Sequence, residues 1–176
     1  NQHLAWAESS AVIYASSVLK AWTNREGAPS ALAAALIGKT PNYGAHQPEN
    51  RKPNVHIKLE AELKTEADYG ALGIHLGKLL KEKTPTIQGL HGSDDELKQL
   101  GAAMASSGMT TIFHAETPSK NQKLETMTVE PREIKESALS LNTTDKAPDL
   151  VFIGCPHCSI NEVRRVAQAL EGKKIR

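Results

Sequence analysis

The chain has 176 residues and a mass of 19.0 kDa, enough for one domain or two small lobes with a real core. Its 21 Lys and Arg against 20 Asp and Glu leave a formal charge of +1, and only 4% of residues are aromatic. That balance argues against a general nucleic-acid binder or a polybasic membrane patch. No stretch approaches the roughly 20 apolar residues of a membrane span, and residues 1–7 show no basic region followed by an apolar run. The expectation is a cytoplasmic protein with no membrane and no nucleic-acid partner. The first residue is not Met, so a piece of something longer is expected.

In chain order, residues 4–22 contain no Pro or Gly and are expected to form one helix. Ser9, Ser10, Ser16 and Ser17 repeat at a spacing of seven and would share a face of it. That face is either a tight contact through small residues or a hydroxyl-lined wall. Residues 23–30 read as a break, and Pro29 opens a second helix that stops at Gly38. Three prolines and a glycine make residues 40–53 a loop too long to be idle. Val55 to Leu63 alternates apolar and polar residues, the mark of a half-exposed strand, with His56 facing solvent. A helix over 68–81 carries Leu72, Leu76, Leu79 and Leu80. Gly70, Gly73 and Gly77 inside it suggest close approach of another backbone.

A strand is expected at 86–90. The helix at 94–107 has Ser93 as N-cap and Glu96 completing a capping box. Strands follow at 109–114 and near Met127 and Val129, separated by a loop over 117–124. Pro131 opens a further helix. Leu150 to Ile153 form a continuous apolar run, which suits a strand covered on both faces. The motif GCPHCS comes next, then a helix with Ser159 and Glu162 as a second capping box, and KKIR as the start of another strand. Strands alternating with helices imply an α/β fold. Its sheet should be mostly parallel, with some antiparallel edge and flanking helices. Three segments are expected: 1–53, N-terminal helices and a loop; 54–145, an α/β lobe; and 146–176, the truncated start of a further βα unit.

The two cysteines of the chain both lie in GCPHCS. A turn between a buried strand and a helix N-terminus is where open α/β sheets bind ligands, and the helix end favours the thiolate form that binds metal. Three chemistries compete there: thiol–disulfide exchange through Cys155 and Cys158, a zinc site, and an iron or iron–sulfur site with further ligands elsewhere. Only 18 residues follow Cys158, too few to finish a thioredoxin-type fold. Cys155, His157 and Cys158 offer at most three zinc ligands from one short turn. An iron site needs only one cysteine from this turn.

The stretches AWAESSAVIYASSVLKAWTNREGAPSALAAALIGKTPNYG, ALGIHLGKLL, ELKQLGAAMASSG and DLVFIGCPHCSINEV, in that order, resemble the aconitase X family, its archaeal branch most closely. The resemblance runs through nearly all of the chain. It implies an aconitase-like, three-layer α/β/α fold. It also implies a hydro-lyase that removes water from a hydroxy acid such as mevalonate 5-phosphate, with an iron–sulfur centre, 4Fe-4S, as Lewis acid. Cys155 would be one cluster ligand and Cys158 a second candidate, the remaining ligands lying outside this chain. Ser9, Ser17, Asn24 and Arg25 would face substrate, and His157 would donate a hydrogen bond there or cap its turn. A small swivelling subunit or domain would complete the site, so the segment alone would be inactive.

The family typically reads NSVLGARTNREG. Here Ser16 stands for Asn, Lys20 for Gly and Trp22 for Arg, and the long Lys20 and bulky Trp22 would fill a close-packed site. The alternatives kept open are a diverged, non-enzymatic paralogue or scaffold fragment, and a CxxC thiol redox protein.

Overall fold

The computed structural model describes residues 3–119 and 123–174. They fall into two compact units, Asn1–Thr143 and Thr144–Arg176.

The first unit opens with a β–α–β–α run. Strand β1 is His3–Trp6, helix α1 is Ser9–Ser17, β2 is Trp22–Arg25 and α2 is Ala28–Ile37. The single helix expected over 4–22 is therefore corrected to two short strands around one helix. β1 and β2 pair in parallel, His3 beside Trp22 and Trp6 beside Arg25. The Ala- and Ser-rich text carries no breaker, but pairing between segments nearly twenty residues apart overrides local helix propensity. The chain leaves α1 through Lys20, which sits at φ 55°, a left-handed conformation that glycine adopts more easily. Residues 40–53 hold two 3-10 turns, Gly44–His46 and Pro48–Arg51.

Then come β3 (Val55–Leu59), α3 (Glu66–Leu80), β4 (Pro85–Gln88), α4 (Asp94–Ser107), β5 (Glu125–Val129) and α5 (Pro131–Ser140). The three strands form a parallel sheet in the order β4-β3-β5. Every ladder among the described strands is parallel, so the expected antiparallel edge is not found there. β3 ends at Leu59 rather than Leu63. The expected strand at 109–114 reduces to a parallel bridge between His114 and Thr86, held by Ile87 N–H donating to His114 O and His114 N–H donating to Pro85 O.

Alternation along the strands decides which face is buried. Val55, Ile57, Ile87 and Val129 are buried and pack with Leu72, Leu76 and Leu80 of α3. Burying each such side chain contributes about 1.5–3 kcal/mol. The other face carries His56, Lys58, Gln88 and Thr126. His56 is half-buried rather than free in solvent, with its ring nitrogens 3.2 Å from Thr126 Oγ1 and 3.1 Å from Gln88 Oε1. Helix α4 lies between α3 and α1. Its start matches the sequence reading: Ser93 Oγ accepts from Glu96 N–H, and the Glu96 carboxylate accepts from Ser93 N–H.

The second unit consists of an extended approach, the GCPHCS turn and α6 (Ile160–Leu170). The strand expected at 150–153 is not formed. Leu150 is 85% exposed and Phe152 83%, and no other described strand pairs with the run. A strand needs a partner to satisfy its backbone, and apolar content alone does not supply one. The start of KKIR is coil; its last two residues lie outside the described residues.

Candidate active site

Both strands of the β1–β2 pair run in one direction, so their carboxyl ends reach the same edge. In parallel sheets that edge is the one that binds ligands. Trp6 lies beside Arg25 there, and Glu26 N–H donates to Trp6 O at 3.3 Å. Past Trp6 the chain turns at once into α1, with Glu8 as N-cap and Ser9 and Ser10 as the first helical residues. The Ser10 hydroxyl donates to the Glu8 carboxylate. The fold thus brings Ser9, Asn24 and Arg25 to one edge, with Glu8 among them. Sequence reasoning missed Glu8, although its place before two serines at a helix start was visible.

The side chains there differ in how much bonding capacity is committed. Asn24 is buried, accepts from Ala45 N–H at 3.2 Å and donates to Tyr43 O at 3.4 Å. It fastens the first 3-10 turn to β2. The fit is close: a Cβ on Gly44, whose φ is +57°, would lie 2.6 Å from Asn24 Nδ2. Arg25 is half-buried, and its Nη1 lies 3.6 Å from Met109 Sδ, a weak acceptor that leaves most of the guanidinium's donors available. Ser17 sits at the other end of α1. It is buried and accepts from Phe113 N–H at 2.9 Å, so its hydroxyl ties α1 to the main core.

A second cluster supports β2 from outside. Arg51 donates to Ala45 O at 3.1 Å, to Ala21 O at 2.9 Å and to Ser16 O at 3.4 Å. Its guanidinium lies 4.8 Å over the Trp22 ring, a cation–π contact. His46 is 2% exposed, stacks on His3, and has its Nδ1 2.8 Å from His3 Nδ1. One of those nitrogens must carry a proton and the other must not. Burial first, then the nearby His3 charge, hold the His46 pKa below its usual range. His114, whose Nε2 lies 2.7 Å from Arg51 O, is also lowered, chiefly by burial. No sequence signal marked this cluster beyond the length of the 40–53 loop. The three departures from the family text find places here: Trp22 lies under Arg51, Lys20 reaches Glu116 at 3.9 Å, and Ser16 is buried with no partner for its hydroxyl.

In the second unit, Cys155 is exposed, Cys158 is half-buried, and both are free thiols. The turn runs through a cis Cys155–Pro156 bond. His157 and Cys158 lead into Ser159, which caps α6 by accepting from Glu162 N–H at 3.2 Å. The helix side of the expected strand-to-helix junction is present, and the strand side is not. Among the described residues no group of three or more His, Cys, Asp or Glu could hold a metal ion. One exposed thiol on a short turn fits a single ligand to a centre whose other ligands lie elsewhere. It does not fit a self-contained metal site.

Comparison with known proteins adds the following. A family model described as the aconitase X first domain matches residues 1–49, and the aconitase X second domain matches residues 53–138. The phosphomevalonate dehydratase large subunit of Methanocaldococcus jannaschii is 47% identical over 99% of this chain and 47% of its own length. That of Methanothermobacter thermautotrophicus is 50% identical over 98% of this chain and 45% of its own. A cis-3-hydroxy-L-proline dehydratase of Hypocrea jecorina is 33% identical, with 32% of its length covered. The crystal structure of Thermococcus kodakaraensis aconitase X in its holo form superposes with a TM-score of 0.87 at 46% identity, covering 97% of this chain and 46% of that one. The chain spans about half the length of the dehydratase large subunits it matches.

Proposed function

The chain belongs to the aconitase X family, and from that premise we propose that it is part of a dehydratase large subunit acting on mevalonate 5-phosphate. The observation that carries this reading is near-half identity to phosphomevalonate dehydratase large subunits along almost the whole chain. Identity to the hydroxyproline dehydratases is lower. The relatives' designation as large subunits supports a small-subunit partner that completes the site.

The reaction removes a hydroxyl and a neighbouring proton from a phosphorylated hydroxy acid. Arg25 binds an anionic group of the substrate, carboxylate or phosphate, through two parallel N–H···O bonds, a geometry that lysine cannot reproduce. Ser9 supplies a hydroxyl beside it at the same sheet edge. Asn24 and Ser17 act as walls, because their polar atoms already hold the 43–45 turn and the Phe113 backbone. Cys155 holds the iron–sulfur centre as one thiolate ligand, with Cys158 as the second candidate and His157 as a hydrogen-bond donor from the same turn. When bound, that centre acts as a Lewis acid on the departing hydroxyl. Lys20 and Trp22 leave this site open, since they are directed to Glu116 and Arg51.

The test is turnover by the complete polypeptide with its small subunit, assayed anaerobically on two substrates. Water loss from mevalonate 5-phosphate, with none from cis-3-hydroxy-L-proline, is the expected result. The opposite preference, or no dehydration of either, contradicts the reading.

A further inference from the structure

Helix α2 has a composition that a solvent-facing helix does not have. Its ten residues, APSALAAALI, include no charged side chain, and none of them is buried. Leu32 is 62% exposed, Leu36 77% and Ile37 67%. A helix that is apolar all round belongs in an interior. Here α2 rests on β1 across a cleft of about 360 Å³, with Ala31, Ala34, Ala35 and Gly38 toward His3, Leu4 and Ala5. On its other faces Leu32, Leu36 and Ile37 stay exposed.

The strand beneath it is incomplete in the same place. Among the described strands β1 pairs only with β2. The Gly44–His46 turn packs across one face of the pair, where His46 stacks on His3 and the Asn24 side chain holds Tyr43 and Ala45. Among the described strands the outer edge of β1 has no partner, and β1 lies beneath α2, whose apolar side chains are exposed. Parallel strands are found in sheets of several members with both faces covered, and a two-stranded pair does not hold by itself. The aconitase X first-domain match comprises only residues 1–49, at the lower limit of what closes a domain, and the relatives are about twice as long as this chain.

We infer that a segment of the same polypeptide, outside residues 1–176, adds a strand parallel to β1 and lays apolar side chains against Leu32, Leu36 and Ile37. The α2 face is then an internal surface of the large subunit and not the docking site of the small one. A parallel strand suits this edge because a crossover connection lets it arrive from a distant part of the same chain. The inference rests on family membership and on the length of the relatives, and it is independent of the reaction assigned above.

The test uses the complete large subunit carrying Leu36→Cys, or Lys135→Cys on the exposed side of α5 as a control. Maleimide labelling is located by peptide mass spectrometry with and without the small subunit. Position 36 is expected to label at least about tenfold more slowly than position 135 in the large subunit alone, and adding the small subunit should not change the ratio. Rapid labelling that slows only when the small subunit is added would make the face a subunit interface and overturn the inference. Slowing only with rising protein concentration would make it a contact between copies, and rapid labelling throughout would leave it bare; either overturns it too. Amide exchange of residues 3–6 in the unmodified large subunit gives an independent reading. Slow exchange is expected for a strand paired on both sides, and fast exchange contradicts it.

Discussion

Lys20 departs from the family pattern at a position whose backbone conformation glycine adopts more easily. Its φ of 55° is the reason a glycine suits that position. A non-glycine residue held there costs about 1–2 kcal/mol. Its exposed contact with Glu116 at 3.9 Å returns at most a fraction of that. Lys20→Gly should therefore raise stability by about 0.5–1 kcal/mol, after the added freedom of the unfolded glycine is discounted. A denaturant melt with an unchanged slope and a higher midpoint would show it, and a lower midpoint would refute it. The histidines give a second expectation. His46 and His114 titrate below the usual value of 6.5 in the folded chain. As pH falls through 6.5, the unfolded chain takes up protons that the folded chain resists, so stability is lost from that point downward. Stability measured between pH 8 and pH 5 should fall in the lower half of the range. The fall should be smaller in His46→Gln, and an identical pH profile for the variant would contradict this account.

At the scale of elements, the α3–α4 contact is the tightest in the first unit. A Cβ on Gly73 would lie 2.5 Å from Ala103 Cβ and from Leu100 O, and one on Gly77 would lie 2.8 Å from Met104 O. These glycines are the close-approach points that their positions in the helix suggested, whereas Gly70 meets only the flexible Gln99 side chain. Gly73→Ala would gain up to about 1 kcal/mol in helix propensity. It would lose more by forcing the helices apart, since overpacking costs about 1–3 kcal/mol. A net loss of about 1–2 kcal/mol in a thermal or chemical melt is expected, and a stabilised variant would show that the contact has slack. Elements that signal their own boundaries were legible: α4 carries its capping box in Ser93 and Glu96. β1 and Leu150–Ile153 were misread in opposite directions. β1 is a strand only because β2 lies beside it, and the 150–153 run lacks the partner that its composition anticipates. Pairing with distant segments is not written in local text.

Over the whole chain, the α/β alternation and the family were legible, because each helix start and each motif is local. The sheet edge that gathers Ser9, Asn24 and Arg25 was not, because it depends on the parallel register of His3–Trp6 with Trp22–Arg25. Nor was the Arg51 cluster, whose three carbonyl partners lie up to 35 residues away. The central claim concerns the exposed thiol at 155. Because that side chain is exposed, Cys155→Ala removes the proposed ligand without opening a cavity. The most direct measurement is iron per complete large subunit after anaerobic purification, wild type beside Cys155→Ala, with folding checked by circular dichroism. The account predicts a folded variant that has lost its bound iron and its dehydration of mevalonate 5-phosphate. A folded variant that keeps both would contradict it.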